Sequence, residues 1–193
     1  IFTGTLYCSA ARRQSSYSGV MLTTSCPIRP TFTGSSPYAV ATVTISRSRQ
    51  RRCPLVLTPH PGEFSRLTDR TVKAIQSDRI GAAIDAVTSW ADPAGSSPIL
   101  VLKGAGTVVT DGRRVFVNGT GNPGMATGGT GDVLTGLIAA VIGQGLAPFD
   151  AACLGVHVHG AAGDLAAEEL GEASLTAVDL IDLLPEALAR DDT

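Results

Sequence analysis

The chain has 193 residues, 44% hydrophobic and 17% charged, with a formal net charge of −2. Those proportions exclude a disordered chain and allow one domain with a sizeable core. No apolar run approaches the ~20 residues that cross a bilayer and no basic start, apolar block and small-residue cleavage site marks a signal peptide, so the expectation is a cytoplasmic protein with no membrane partner.

Residues 1–53 differ from the rest. Ser and Thr make up 17 of those 53 positions, and Arg12, Arg13, Arg29, Arg47, Arg49, Arg51 and Arg52 meet no acidic residue. Residues 54–193 therefore carry 8 basic against 17 acidic side chains. A basic arm can suit nucleic acid, but the pI near 5.9 and the lack of aromatic–basic interleaving point away from that partner. Cys8, Cys26 and Cys53 fall in this segment without zinc spacing and with no histidine among them, which reads as free thiols. One short alternation, Val40 to Ile45, predicts a strand. Little else in the segment is patterned for packing, as in a truncated or frame-shifted reading, and a boundary is placed near residue 53.

From Pro54 onward every stretch has a structural meaning. PLVLT reads as a short buried strand ending at Pro59, and GEFSRL as a turn of helix. A helix is predicted from about Ser77 to Trp90, with Ile80, Ile84 and Val87 on one face. ILVLK is a second continuous apolar strand, the type found in sheets covered on both faces. TVVT, Asp111-Gly112 and VFV form a hairpin. Three helices follow, at about Gly131–Gln144, Pro148–Leu170 and Ala177–Ala189. The last opens on Thr176 with Asp179 three residues on, a capping-box-like start. Cys153 reads as a small core residue. About four strands alternating with helices predict an α/β domain with a mostly parallel sheet covered by helices.

Three loops carry chemistry. In NPGMATGGTGDVLTG, Asn122 to Gly136, the glycines stop where an apolar helix begins, so the stretch is no spacer. Gly119 to Gly124 matches G-x-G-x-x-G, but Pro123 and further loop residues follow where a dinucleotide fingerprint needs a helix. No lysine follows the glycines, which excludes a Walker A loop. GTGD instead starts a buried helix, where free amides and the dipole favour phosphate. Asp132 there is either a helix-start charge or a general base beside a phosphoryl group. LKGAGT presents Lys103, backbone amides and the Thr107 hydroxyl at a strand end, the usual place for ligands in open α/β sheets, though a tight turn with a surface lysine has the same look. TPHPGE fixes His60 between prolines, either to grip a polar ligand or to cap the next helix. His157 and His159, two apart on a helix, do not share a face and read as non-ligands. Asn118-Gly119-Thr120 is formally a glycosylation sequon that lapses without export.

LVLTPHPGEFSRL, VLKGAGTVV, NPGMATGGTGDVLTGLIAAVIGQG and GVHVHGAAGDLAAEELG resemble, in order and spacing, the C-terminal half of the ADP-dependent NAD(P)H-hydrate dehydratases, a ribokinase-like family. The resemblance runs from about Arg52 to Ala189. It implies a repair lyase that dehydrates the S epimer of hydrated NADH or NADPH, consuming ADP and giving AMP and phosphate. By motif, His60 would contact the hydrated nucleotide, and Lys103, Gly104, Ala105, Gly106 and Thr107 would hold the adenine-nucleotide phosphates. Gly131 would contact the nucleotide, and Asp132 would contact the substrate and act as its base. Mg²⁺ is implied on the phosphates, with Glu63 the candidate for holding its waters. The family's glycine-rich N-terminal half, which supplies further strands, has no counterpart in residues 1–53, so that half reads as missing or replaced. An incomplete sheet favours a homo-oligomer. Two other readings remain: a ribokinase-like kinase of a vitamin precursor, and a non-catalytic nucleotide-binding remnant.

Overall fold

The computed structural model describes residues 55–92 and 97–190, together with the backbone of residues 6–7, 20–22, 31–32 and 41–42. Its centre follows from the apolar runs. β5 (Leu55–Leu57) and β6 (Ile99–Leu102) lie side by side in parallel with every residue buried. Successive side chains point to opposite faces. Leu55, Leu57, Leu100, Leu102 and Val108 pack on one side with Phe64, Ile75, Val87 and Trp90. Val56, Ile99, Val101 and Val109 pack on the other with Leu134, Ile138, Phe149 and Val156. Helices thus cover both faces, as the unbroken hydrophobicity of these strands requires.

The main sheet has the order β1 (Leu6–Tyr7), β2 (Val20–Leu22), β5, β6, β7 (Val108–Thr110), β8 (Val115–Val117). β3 (Thr31–Phe32) and β4 (Ala41–Thr42) form a separate antiparallel pair. The strand predicted over residues 40–45 is seen at Ala41–Thr42, and the rest of that run, like Cys8, Cys26 and Cys53, lies outside the described residues. The α/β class holds, but the strand directions differ from the expected mostly parallel sheet. Only β1–β2 and β5–β6 are parallel, while β2–β5, β6–β7 and β7–β8 are antiparallel. The links at 103–107 and 111–114 are far shorter than the roughly dozen residues that a parallel crossover needs. Short links force hairpins.

The helix predicted from about Ser77 to Trp90 is α3 (Arg79–Ser89), and a further short helix that was not predicted, α2 (Val72–Ser77), precedes it and ends at Asp78. The Asp78 carboxylate accepts from the Gly81 N–H at 2.8 Å and restarts the chain as an N-cap. The restart rotates the buried face to Ala82, Ala83, Ala86 and Val87 and leaves Ile80 43% exposed, contrary to the predicted Ile80–Ile84–Val87 stripe. α1 (Pro61–Thr68) carries a complete capping box: His60 Nδ1 accepts from the Gly62 and Glu63 amides, and Glu63 Oε2 accepts from the His60 N–H at 2.8 Å.

The three later helices match their predicted spans closely. α4 is Thr130–Gly143, α5 Pro148–Leu170 and α6 Ala177–Arg190. Asp179 accepts from the Thr176 amide and hydroxyl at the start of α6. Cys153 is half-buried and packs against the core cluster under α5, where burial pushes its thiol up to about 11. α5 is close-packed because it is short of side chains. Gly155 leaves room for Ile138 of α4, Gly160 for Thr120, and Gly163 for Met125. Among the described residues no helix is long and apolar enough to cross a membrane.

Candidate active site

The three loops singled out from sequence converge. Residues 60, 61 and 63, 103–107, 118–123, 125–127 and 129–132, with Val156, His159 and Gly160 of α5, line one cleft of about 800 Å³. The Lys103 amide donates to the Pro59 carbonyl at 2.9 Å, tying the 103–107 turn to the His60 loop.

Lys103 stands at the middle of the charge pattern. Its side chain is 19% exposed, and its ammonium lies 3.9 Å from Glu63 Oε2. Burial pulls its pKa below the ordinary lysine value, while the Glu63 and Asp132 carboxylates oppose that shift. A Cβ on Gly131 would sit 2.9 Å from Lys103 Nζ, so the ammonium rests against the backbone at the start of α4. A cation beside a helix N-terminus is disfavoured by the dipole. Its two carboxylate neighbours offset that cost.

The helix start is open. Gly129 at the N-cap has φ 92° and no side chain to cap the first turn; the Asp132 amide donates to the Gly129 carbonyl at 3.0 Å, which leaves the amides of Thr130 and Gly131 for a ligand. Thr130 Oγ1 donates to the Met125 and Thr127 carbonyls, fixing the preceding loop. Asp132 is in the first turn of α4 and lines the cleft. Beneath it, Thr135 Oγ1 donates to the Gly131 carbonyl at 2.9 Å, so in the 3.2 Å contact with Thr58 Oγ1 the Thr58 hydroxyl is the donor.

His60 fulfils the capping reading while lining the cleft. Its Nδ1 is committed to the α1 amides, and its ring is 53% exposed with Nε2 3.4 Å from Glu63 Oε1. Glu63 is 4% exposed, and its oxygens face the His60 backbone, the His60 ring and Lys103. That makes it the lysine's counter-ion and a poor fit to a metal ligand, and among the described residues no group of three or more His, Cys, Asp or Glu could hold a metal ion.

Several residues that line the cleft or hold its wall were not legible as such in the sequence. Asp164 of α5 accepts from the Gly121 amide at 2.8 Å and from Asn122 Nδ2 at 3.0 Å. Asn122 also donates to the Gly163 carbonyl and accepts from the Gly124 amide. Asn118 is 7% exposed and donates to the Thr120 and Val156 carbonyls, so the apparent sequon is a buried anchor. A methyl on Gly160 would meet the Thr120 hydroxyl and lie 2.7 Å from its carbonyl carbon. Gly160→Ala is expected to cost about 1–3 kcal/mol, read from urea unfolding; an unchanged midpoint would show that the 118–122 segment moves aside freely.

His159, taken from sequence as a non-ligand, lines the cleft wall at 9% exposure and its Nε2–H donates to the Thr130 carbonyl at 2.9 Å. Burial, the largest cause, holds its pKa down to about 4 despite that bond. An unfolded histidine takes up a proton near pH 6.5, so the unfolded state binds more protons between pH 6.5 and about 4. Stability is therefore expected to fall as pH drops through that window, by roughly 3 kcal/mol in total. Comparing the acid arm of the stability curve with that of His159→Gln checks this; parallel curves would reject it.

A family model described as NAD(P)H-hydrate dehydratase matches residues 38–186, beginning ahead of the compositional change at residue 53. A bifunctional NAD(P)H-hydrate repair enzyme of Moorella thermoacetica is 53% identical over 137 residues, covering 70% of this chain and 24% of that protein. Among solved structures, the ADP/ATP-dependent NAD(P)H-hydrate dehydratase of Bacillus subtilis, co-crystallised with ATP and Mg²⁺, superposes with a TM-score of 0.68 at 36% identity, over 74% of this chain and 50% of that one. A ribokinase-like superfamily protein of Enterococcus faecalis gives a TM-score of 0.57 at 29% identity, over 70% of this chain and 44% of that one. The chain thus spans about a quarter of the length of the first relative and half that of the Bacillus enzyme.

Proposed function

Since the chain belongs to the NAD(P)H-hydrate dehydratase family and has its ribokinase-like fold, we propose that it carries out ADP-dependent dehydration of the S epimer of hydrated NADH or NADPH, returning the dinucleotide with AMP and phosphate. The observation that carries this reading is the Lys103 ammonium held between Glu63 and Asp132 at the open start of α4. Anionic phosphates, a cation and a carboxylate base then share one cleft.

In this proposal Lys103 and the Gly104–Thr107 turn take the phosphates of ADP, Gly131 contacts the nucleotide, and His60 faces the hydrated nicotinamide. Asp132 accepts the proton of the ring hydroxyl as that oxygen bonds the terminal phosphorus and the bond to AMP breaks. The first-turn amides of α4 and Lys103 hold the charge that develops on the phosphoryl oxygens. Phosphate then leaves with the C–O bond electrons, expelled by the ring nitrogen's electron pair, and the ring iminium so formed loses a proton from the adjacent ring carbon to water, which restores the dihydronicotinamide. Mg²⁺ would arrive on the nucleotide's phosphates and would supply charge neutralisation there. The division at residue 53, a cytoplasmic location suited to a free dinucleotide substrate, and a homo-oligomer belong to the same proposal. The exposed Val115 and Val117 on the terminal strand β8 support association.

The direct test supplies hydrated NADPH with ADP and follows dihydronicotinamide absorbance together with phosphate release. No recovery from a folded preparation that binds ADP would leave the chain a nucleotide-binding remnant. The kinase reading draws support from the ribokinase-like neighbour, and it requires a stable phosphorylated product in place of released phosphate.

A further inference from the structure

Arg79, the first residue of α3, lies outside every motif that marked the cleft. Its Nη2 donates to three backbone carbonyls of the 102–106 segment: Leu102 at 2.9 Å, Lys103 at 3.3 Å and Gly106 at 3.4 Å. Nη1 donates to Gln76 Oε1 at 2.8 Å. Gly104 has φ 138°, and a Cβ there would lie 3.0 Å from Nη1, so the glycine lets the guanidinium sit directly behind the turn.

Peptide planarity gives this contact a direction. In a trans peptide the C=O and the following N–H point opposite ways. With the Lys103 and Gly106 carbonyls drawn to Arg79, the Gly104 and Thr107 amides are directed away from it, and the same residues line the cleft. The Lys103 amide, partnered to the Leu102 carbonyl in its own peptide, goes to Pro59.

The charge is as telling as the geometry. Among the described residues no ion pair includes Arg79. Its pKa is lowered by burial, and its Nε is buried with no hydrogen-bond partner. A buried donor without a partner is costly. An uncompensated cation is therefore fixed behind a turn whose amides face the other way, an arrangement suited to an anion.

We propose that Arg79 is a positioning residue for the nucleotide, gathering the turn's carbonyls on its rear side so that its amides and a net positive field meet the phosphates of a nucleoside diphosphate. The proposal rests on the reading of residues 103–107 as the phosphate turn.

Calorimetric titration of the full chain with ADP tests it, beside unfolding curves and Michaelis constants for both substrates. Arg79→Met is expected to weaken ADP binding about 10-fold or more while the Michaelis constant for hydrated NADPH stays near wild type. Arg79→Lys keeps the charge but not the planar fork, and its affinity falls between the two. Arg70→Gln, which removes only a surface pair with Asp85, leaves ADP affinity unchanged. Arg79→Met binding ADP as tightly as wild type, or Arg79→Lys no tighter than Arg79→Met, overturns the proposal, as does equal weakening toward both substrates. Failure of the wild type to bind ADP overturns the nucleotide reading itself, and is recognised because it does not depend on residue 79.

Discussion

Asp132→Asn is expected to lower NADPH recovery by at least about 10²–10⁴-fold, the range for losing a general base, with ADP affinity nearly unchanged. The substitution keeps the size of the side chain and removes its capacity to take a proton, together with one of the two carboxylate charges beside Lys103. Its structural cost is bounded, because a first-turn carboxylate gains only about 0.3–1 kcal/mol from the helix dipole. Catalysis and stability therefore separate cleanly. The check is a rate measurement paired with ADP calorimetry and a thermal melt. A variant that turns over near the wild-type rate would reject Asp132 as the base, and one that loses ADP binding would move Asp132 from the base role to nucleotide binding.

Lys103→Met should be the next most damaging change, lowering kcat/KM for ADP by roughly 10²–10³-fold, as expected when a preorganised donor is removed from a developing oxyanion. The lysine also predicts a pH dependence. In the proposed role it would hold phosphate only when protonated, and burial lowers its pKa. The alkaline limb of kcat/KM for ADP should therefore fall at lower pH than the ordinary lysine value of about 10.4. Lys103→Arg keeps the charge at high pH, so its profile should lose that limb whatever its absolute rate. An unmoved limb would assign the titration to another group.

What could be read from the sequence was whatever rests on local pattern. The glycines of 124–131 end where the apolar residues of α4 begin, and that junction alone located Asp132. The prolines around His60 and the glycines after Lys103 marked turns at strand ends for the same reason. What was missed depends on partners far along the chain. Arg79 acts on carbonyls 23, 24 and 27 residues away, and Asp164 on amides more than 40 residues upstream. No period or spacing announces such contacts. His159 was set aside on helical geometry alone, although its place between Gly155 and Gly163 marks the closely packed side of α5. The short helix α2 was readable in principle, since Thr71 and Asp78, the N-caps of α2 and α3, are both residue types that start helices. The hairpin at Asp111-Gly112 was read as such and is β7–β8; the β6–β7 direction needed only the length of the 103–107 link, which cannot make parallel neighbours.

The bare side of α5 bears on how this cleft could change. Gly155, Gly160 and Gly163 are where the helix meets Ile138, Thr120 and Met125, and the last two belong to the loop that forms one wall of the site. The distance between that wall and the 103–107 turn is therefore set by carbon atoms that are absent. A methyl restored at Gly160 or Gly163 would act as a shim, moving the wall by a fraction of an ångström without altering Lys103, Asp132 or His60. A library that varies these glycines together with Thr120 and Met125 would thus sample cleft widths, a dimension that randomising the rim cannot reach.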